Sequence, residues 1–150
     1  FNFRGVGRSQ GVYDQGIGEL SDAASALDWM QTYNANARAT WVAGYSFGSW
    51  IGMQLLMRRP EIDGFISVAA PASDYDFTFL APCPSSGILI HGSQDTNIPV
   101  ASVNKLADKL NAQKGIEVDM CTIDGADHYF AKQQDDVIKH SIAYLDKRGA

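Results

Sequence analysis

The pattern G-x-S-x-G occurs at residues 44–48, and its central Ser46 has the spacing of a nucleophilic serine. An apolar run at residues 41–43 precedes it, and apolar residues at helical spacing follow it. A serine on such a strand-to-helix turn is held in a strained conformation with its hydroxyl outward. The helix that begins behind it aims backbone N–H groups at negative charge developing beside the serine. The alternative is that Ser46 only caps this helix.

A nucleophilic serine needs a base, and three histidines are available. His128 lies in a loop between the last predicted strand and the last predicted helix, where open parallel sheets build their sites. His91 ends a buried apolar run, which favours a packed and hydrogen-bonded histidine. His140 lies midway along the last predicted helix on its polar face, which favours a solvated side chain. The sequence therefore predicts His128 as the base.

The base in turn needs an acid to orient it, and Asp95 is the predicted residue. It follows the apolar run 88–90 and so lies at the carboxyl end of a predicted strand. The order serine, acid, histidine along the chain is the order used by hydrolases with this serine turn. Asp127 adjoins His128, but neighbouring side chains on an extended loop point apart. Asp74 and Asp76, after an earlier strand, remain alternatives.

Strands and helices alternate along the chain, and this alternation predicts how these residues are positioned. Buried strands that alternate with amphipathic helices indicate an α/β fold with a mostly parallel sheet and helices on both faces. We predict a single domain over residues 1–150 with a loop or small lid at 71–86. The predicted strands are 1–3, 40–43, 65–69, 88–90 and 116–123, and the predicted helices are 17–33, 47–57, 99–110 and 133–147.

Composition and charge exclude several classes of protein. The chain has 150 residues, 12 Lys and Arg, 17 Asp and Glu, and a net charge of −5. The basic residues are scattered, so no nucleic-acid partner is expected. No apolar run approaches the ~20 residues of a membrane span, so no membrane partner is expected either. Cys83 and Cys121 have neither metal-site nor disulfide spacing, which favours reduced thiols and a cytoplasmic location. The Gly5-Val6-Gly7 turn lacks the third glycine of a dinucleotide site.

In their order and spacing along the chain, these residues and motifs resemble those of the α/β-hydrolase superfamily. The resemblance covers essentially the whole chain. The chain is most similar to small bacterial members with little or no lid, of the dienelactone-hydrolase-like and serine-aminopeptidase-like kinds. The resemblance implies a catalytic triad of Ser46, Asp95 and His128. It also implies that the backbone N–H of Phe47 is one donor of the oxyanion hole. No metal or organic cofactor is implied.

The front of the chain departs from this family. Members have about three strands before the Arg-Gly-x-Gly-x-Ser turn, which lies at residues 4–9 here, and their second oxyanion donor follows the third strand. We therefore expect an N-terminally incomplete fold, about the C-terminal two-thirds of a typical member. Strands 1–3 and 40–43 would then keep unpaired edges, which predicts self-association of the chain.

The sequence thus predicts a serine hydrolase that cleaves a small ester, thioester or amide through a covalent acyl-enzyme. The short segment 71–86 favours small soluble substrates, and Tyr75, Phe77 and Phe79 in it are candidates to line an acyl pocket. The alternative is a non-catalytic domain that keeps the fold for binding or as a scaffold. Labelling of Ser46 by a fluorophosphonate probe distinguishes the two.

Overall fold

A computed structural model describes residues 1–149. They form two compact units, one of residues 1–38 and one that begins at Ala39. The single domain expected from the sequence stays a prediction. In the first unit, helix α1 spans Ile17–Tyr33, as predicted. Its first turn contains the buried Glu19, whose carboxylate accepts hydrogen bonds from the N–H groups of Asp14 and Gly16, both at 2.8 Å. These bonds fix the entry of the chain into α1.

The turn before α1 is held by a charged pair. The Arg4 guanidinium donates to both carboxylate oxygens of Asp22, at 3.0 and 2.7 Å. The predicted strand at residues 1–3 is wrong, because Phe1–Phe3 lie in no strand. The chain already turns at Phe3, whose carbonyl accepts a hydrogen bond from the Val6 N–H at 3.1 Å. A strand exists only through hydrogen bonds to a neighbouring strand, and a short aromatic run does not supply them.

The second unit is built on one parallel sheet. Its strands lie in the order β1-β2-β3-β4, so that β1 and β4 form the edges of the sheet among the described residues. The predicted α/β fold is confirmed. The strands are β1 Trp41–Tyr45, β2 Gly64–Val68, β3 Gly87–Gly92 and β4 Val118–Ile123; the helices are α2 Phe47–Leu56, α3 Val100–Asn111 and α4 Gln134–Arg148, with a 3-10 turn at Thr78–Leu80.

The sheet is buried on both faces at its centre. Ile88 and Ile90 of β3 pack with Tyr144 of α4, while the alternate residue Leu89 is equally buried on the other face. Burying each such side chain stabilises the fold by about 1.5–3 kcal/mol. This two-sided burial extends to the carboxyl end of β3. No helix within residues 1–149 is long and apolar enough to cross a membrane.

One strand boundary and one helix face differ from the predictions. Strand β3 continues past Ile90 to include His91 and Gly92. Helix α4 forms where predicted, and its sequence predicts an apolar stripe of Val137, Ile138, Ile142 and Leu145. Val137 and Leu145 pack against the core, but Ile138 and Ile142 are 56% and 54% exposed. The buried side of α4 is centred on Tyr144 instead, because the ring and not the isoleucines faces the sheet.

Candidate active site

Ser46 occupies the sharp turn between β1 and α2. Its backbone has φ 50° and ψ −121°, a region that costs free energy for any residue with a side chain. Two contacts hold the turn: the Ser46 N–H donates to the Val68 carbonyl at 2.8 Å, and the Ser46 carbonyl accepts the Ser49 hydroxyl at 2.8 Å. The Ser46 side chain makes no capping hydrogen bond to α2. The alternative that this serine only caps the helix is therefore wrong.

The glycine before the serine turn is required for space. A Cβ atom added at Gly44 would lie 2.3 Å from the Gly48 carbonyl oxygen and 2.6 Å from the Ser49 Cα. Strand β1 and the first turn of α2 therefore approach each other more closely than any side chain at position 44 would permit. This contact explains why the G-x-S-x-G pattern has a glycine two residues before the serine.

The three predicted residues meet in one chain of hydrogen bonds. Ser46 Oγ lies 3.0 Å from His128 Nε2, and His128 Nδ1 lies 2.7 Å from Asp95 Oδ2. The other carboxylate oxygen, Asp95 Oδ1, accepts the N–H groups of Asn97 and Ile98, both at 2.8 Å. An acceptor carboxylate at Nδ1 places the imidazole proton there, which leaves Nε2 able to accept the serine proton.

The acid is kept ionised in a buried position. The Asp95 side chain is fully buried, and burial by itself would raise its pKa. Hydrogen bonds from the Ile98 N–H, His128 and the Asn97 N–H outweigh this effect, so the pKa of Asp95 lies below its ordinary value. A carboxylate in this state can orient the imidazole and stabilise its charged form.

The loops after β3 and β4 pack backbone against backbone to bring the acid to the base. A Cβ atom at Gly92 would lie 2.3 Å from the Ala126 carbonyl oxygen. That oxygen accepts the Gln94 N–H at 2.9 Å. The contact places Asp95, three residues after Gly92, beside His128, two residues after Ala126.

The other sequence candidates lie elsewhere. His140 is exposed on α4, and His91 is buried and hydrogen-bonded, both as predicted. Asp127 accepts the backbone N–H of Tyr129 at 3.0 Å, and Asp76 accepts the N–H and hydroxyl of Thr78, both at 2.8 Å.

Aromatic side chains cluster at the start of α2, directly after the serine, and sequence reasoning missed most of them. The rings of Phe47 and Trp50 on α2 pack with that of Tyr75, with centroids 4.5–5.9 Å apart. Of the candidates in segment 71–86, only Tyr75 joins this cluster, because Phe77 is buried and stacks on Phe79. The i, i+3 spacing of Phe47 and Trp50, which puts both rings on one face of a helix, is the sequence signal that could have predicted this cluster.

Tyr45 lies on the other side of the serine and contacts the predicted base. Its hydroxyl donates to the backbone carbonyl of His128 at 3.1 Å, so β1 holds the histidine loop directly. Burial raises the pKa of Tyr45, and the nearby Tyr129, Asp95 and Asp127 raise it further. The phenol therefore stays protonated and keeps this donor role at neutral pH.

Comparison with known proteins places the chain in a family. The model of the prolyl oligopeptidase family matches residues 66–148. An uncharacterized protein of Rickettsia prowazekii (strain Madrid E) is 46% identical over 148 residues, which is 96% of this chain and 62% of the relative. The chain thus spans about three-fifths of the curated relative that it matches.

Solved structures agree with this assignment. A protein of unknown function from Agrobacterium tumefaciens, described as a candidate α/β hydrolase, is 56% identical with a TM-score of 0.93, over 98% of this chain and 67% of that one. An α/β serine hydrolase without a lid from Xanthomonas campestris is 25% identical with a TM-score of 0.85, over 97% of this chain and 64% of that one. The chain belongs to the prolyl oligopeptidase family of α/β serine hydrolases.

Proposed function

We propose that the protein is a serine hydrolase that cleaves a small ester, thioester or amide through a covalent acyl-enzyme. The observation that carries this proposal is the unbroken chain from Ser46 Oγ to His128 at 3.0 Å and from His128 to Asp95 at 2.7 Å. Both distances are within the reach expected for a nucleophile, its base and the group that orients the base.

In the proposed reaction, Ser46 Oγ attacks the substrate carbonyl carbon while His128 Nε2 takes the hydroxyl proton. Asp95 stays ionised and stabilises the imidazolium that forms. His128 then gives the proton to the leaving group, and the acyl group stays on Ser46. Water, deprotonated by His128, then attacks the acyl carbon; the bond to Ser46 Oγ breaks, His128 returns the proton to Oγ, and the acid product leaves.

We also propose that the backbone N–H of Phe47 donates to the oxyanion of the tetrahedral intermediate. Phe47 is the first residue of α2 and directly follows the nucleophile. The amino end of a helix carries partial positive charge, which favours an anion beside it. A second donor elsewhere in the protein would complete the oxyanion hole. Each such donor contributes about 10²–10³-fold in rate.

The substrate class follows from the surroundings of Ser46. Phe47 directly follows the nucleophile, and the half-buried Trp50 and Tyr75 rings pack against it, so the three offer an apolar surface for one side of the substrate. The segment between β2 and β3 contains a single 3-10 turn, too short for a large lid. Both features favour small substrates in solution over lipid aggregates.

A fluorophosphonate probe tests the proposed function. We expect covalent labelling of the full-length protein at Ser46, found by mass spectrometry of the labelled peptide, and none in Ser46→Ala. Absence of labelling in the folded full-length protein would favour the non-catalytic domain instead. The cytoplasmic location and the self-association of the chain stay predictions. Light scattering by the protein in solution measures its self-association.

A further inference from the structure

A second histidine lies directly behind the acid. His91 is the penultimate residue of β3, at the carboxyl end of the strand, and its side chain is completely buried. Its Nε2 atom lies 2.9 Å from the carbonyl oxygen of Ile98. The same Nε2 atom lies 3.5 Å from Asp95 Oδ2, the oxygen that faces His128. His91 therefore adjoins the group that orients the proposed base.

The hydrogen bond to Ile98 determines where the His91 proton resides. A carbonyl oxygen only accepts, so Nε2 must carry hydrogen. No group among residues 1–149 hydrogen-bonds His91 Nδ1, which is also buried. A proton at Nδ1 would add a buried donor without an acceptor, so the neutral ring with hydrogen on Nε2 is the form that this environment accommodates.

Ile98 connects His91 to the acid through its backbone. Its N–H donates to Asp95 Oδ1 at 2.8 Å, while its carbonyl accepts from His91. Ile98 is 2% exposed, so neither bond can be replaced by bulk water without opening the loop. His91 lies on β3, whose residues are all buried, so it ties the acid loop to the buried centre of the sheet.

We propose that His91 is a positioning residue of the reaction; this inference rests on the proposed function. Its Nε2–H holds the Ile98 backbone, and that backbone holds the Asp95 carboxylate in line with His128 Nδ1. The same N–H presents partial positive charge to Asp95 Oδ2, which favours the ionised acid. His91 acts through Asp95 and Ile98, and it does not touch the substrate.

Two substitutions of His91 separate positioning from simple filling of the core. The amide nitrogen of glutamine lies as many bonds from Cα as His Nε2, and that of asparagine as many as His Nδ1. We therefore expect His91→Gln to keep the bond to Ile98 and to stay within about threefold of the wild-type kcat. His91→Asn leaves the Ile98 carbonyl unsatisfied, and we expect kcat to fall by about tenfold or more with KM unchanged.

The readouts are ester kinetics and the rate of fluorophosphonate labelling, taken where circular dichroism shows each variant fully folded. An Asn variant as fast as the wild type, or a Gln variant as slow as the Asn variant, would overturn the proposal. A parallel fall in kcat and stability for both variants would indicate a role in the core only. If the wild type itself is not labelled, the proposed function fails first, so the two failures are distinguishable.

A second measurement locates the His91 proton directly in the wild-type protein. Nitrogen-15 NMR of the full-length protein, labelled at histidine, distinguishes a protonated ring nitrogen from a bare one. We expect the His91 resonances, assigned by their absence in His91→Gln, to show hydrogen on Nε2 and none on Nδ1. Hydrogen on Nδ1, or on both nitrogens, would contradict the proposed arrangement.

Discussion

Replacing Asp95 with asparagine tests the proposed mechanism at one atom. Asp95 Oδ1 accepts two backbone N–H groups, from Asn97 and Ile98, both at 2.8 Å. An asparagine at this position must keep its carbonyl oxygen on that side, because an NH₂ group there would face two donors. Its NH₂ group then occupies the place of Oδ2 and points at His128 Nδ1, 2.7 Å away in the wild type.

The consequence is an imidazole with the wrong tautomer. Since the new NH₂ group donates, His128 Nδ1 must accept, and the ring proton moves to Nε2. Nε2 then faces Ser46 Oγ as a donor and cannot take the hydroxyl proton. This loss costs about 10⁴-fold in kcat, while substrate binding, and therefore KM, should change little.

The assay is hydrolysis of p-nitrophenyl acetate by the full-length protein, with burst kinetics to measure acylation. Asp127→Asn is the matched control, because Asp127 adjoins His128 in sequence and, within residues 1–149, its carboxylate accepts only the N–H groups of the turn after it. The asparagine carbonyl can accept the same bonds. We expect the control to stay within about twofold of the wild type. An Asp95→Asn variant that keeps more than about a tenth of the wild-type kcat would refute Asp95 as the orienting acid.

Three further predictions follow from the same geometry. Ser46→Ala should retain folding and lose about 10⁴-fold or more in kcat; substantial turnover would move the nucleophile elsewhere. Gly44→Ala should lower the free energy of unfolding by about 1–3 kcal/mol in urea titrations, since the added Cβ would lie 2.3 Å from the Gly48 carbonyl oxygen; an unchanged midpoint contradicts this. Because the folded-state pKa of Asp95 is lowered, its stabilisation is fully present above about pH 4 and is lost as pH falls through that pKa. The difference in free energy of unfolding between wild type and Asp95→Asn should therefore become smaller below pH 4. A difference that does not change with pH would contradict this prediction.

The sequence by itself determined the features that depend on neighbouring residues. The spacing around Ser46 predicted a strand-to-helix turn, because a buried apolar run and a helical period are visible within about ten residues on each side. The limits of α1 and α4 were predicted closely for the same reason. The choice of Asp95 and His128 needed one rule beyond local pattern, namely that the carboxyl ends of parallel strands meet at one edge.

The sequence misjudged the features that depend on what a segment packs against. The segment Phe1-Asn2-Phe3 has the composition of a strand, but a strand forms only where a neighbouring strand supplies hydrogen bonds. Ile138 and Ile142 continue the helical period of α4, yet the sheet is covered by Tyr144 and these isoleucines remain exposed. Periodicity reports which side chains share a face, and it does not report how wide the contact on that face is.

The tertiary structure alone decided the distances on which the chemistry rests. Ser46 and His128 are 82 positions apart and His128 and Asp95 are 33 apart, so no local pattern relates their side chains. Their meeting depends on the backbone contact at Gly92, where two loops approach too closely for a side chain. The position of His91 behind the acid depends on the continuation of β3 by two residues, which burial on both faces of the sheet stabilises.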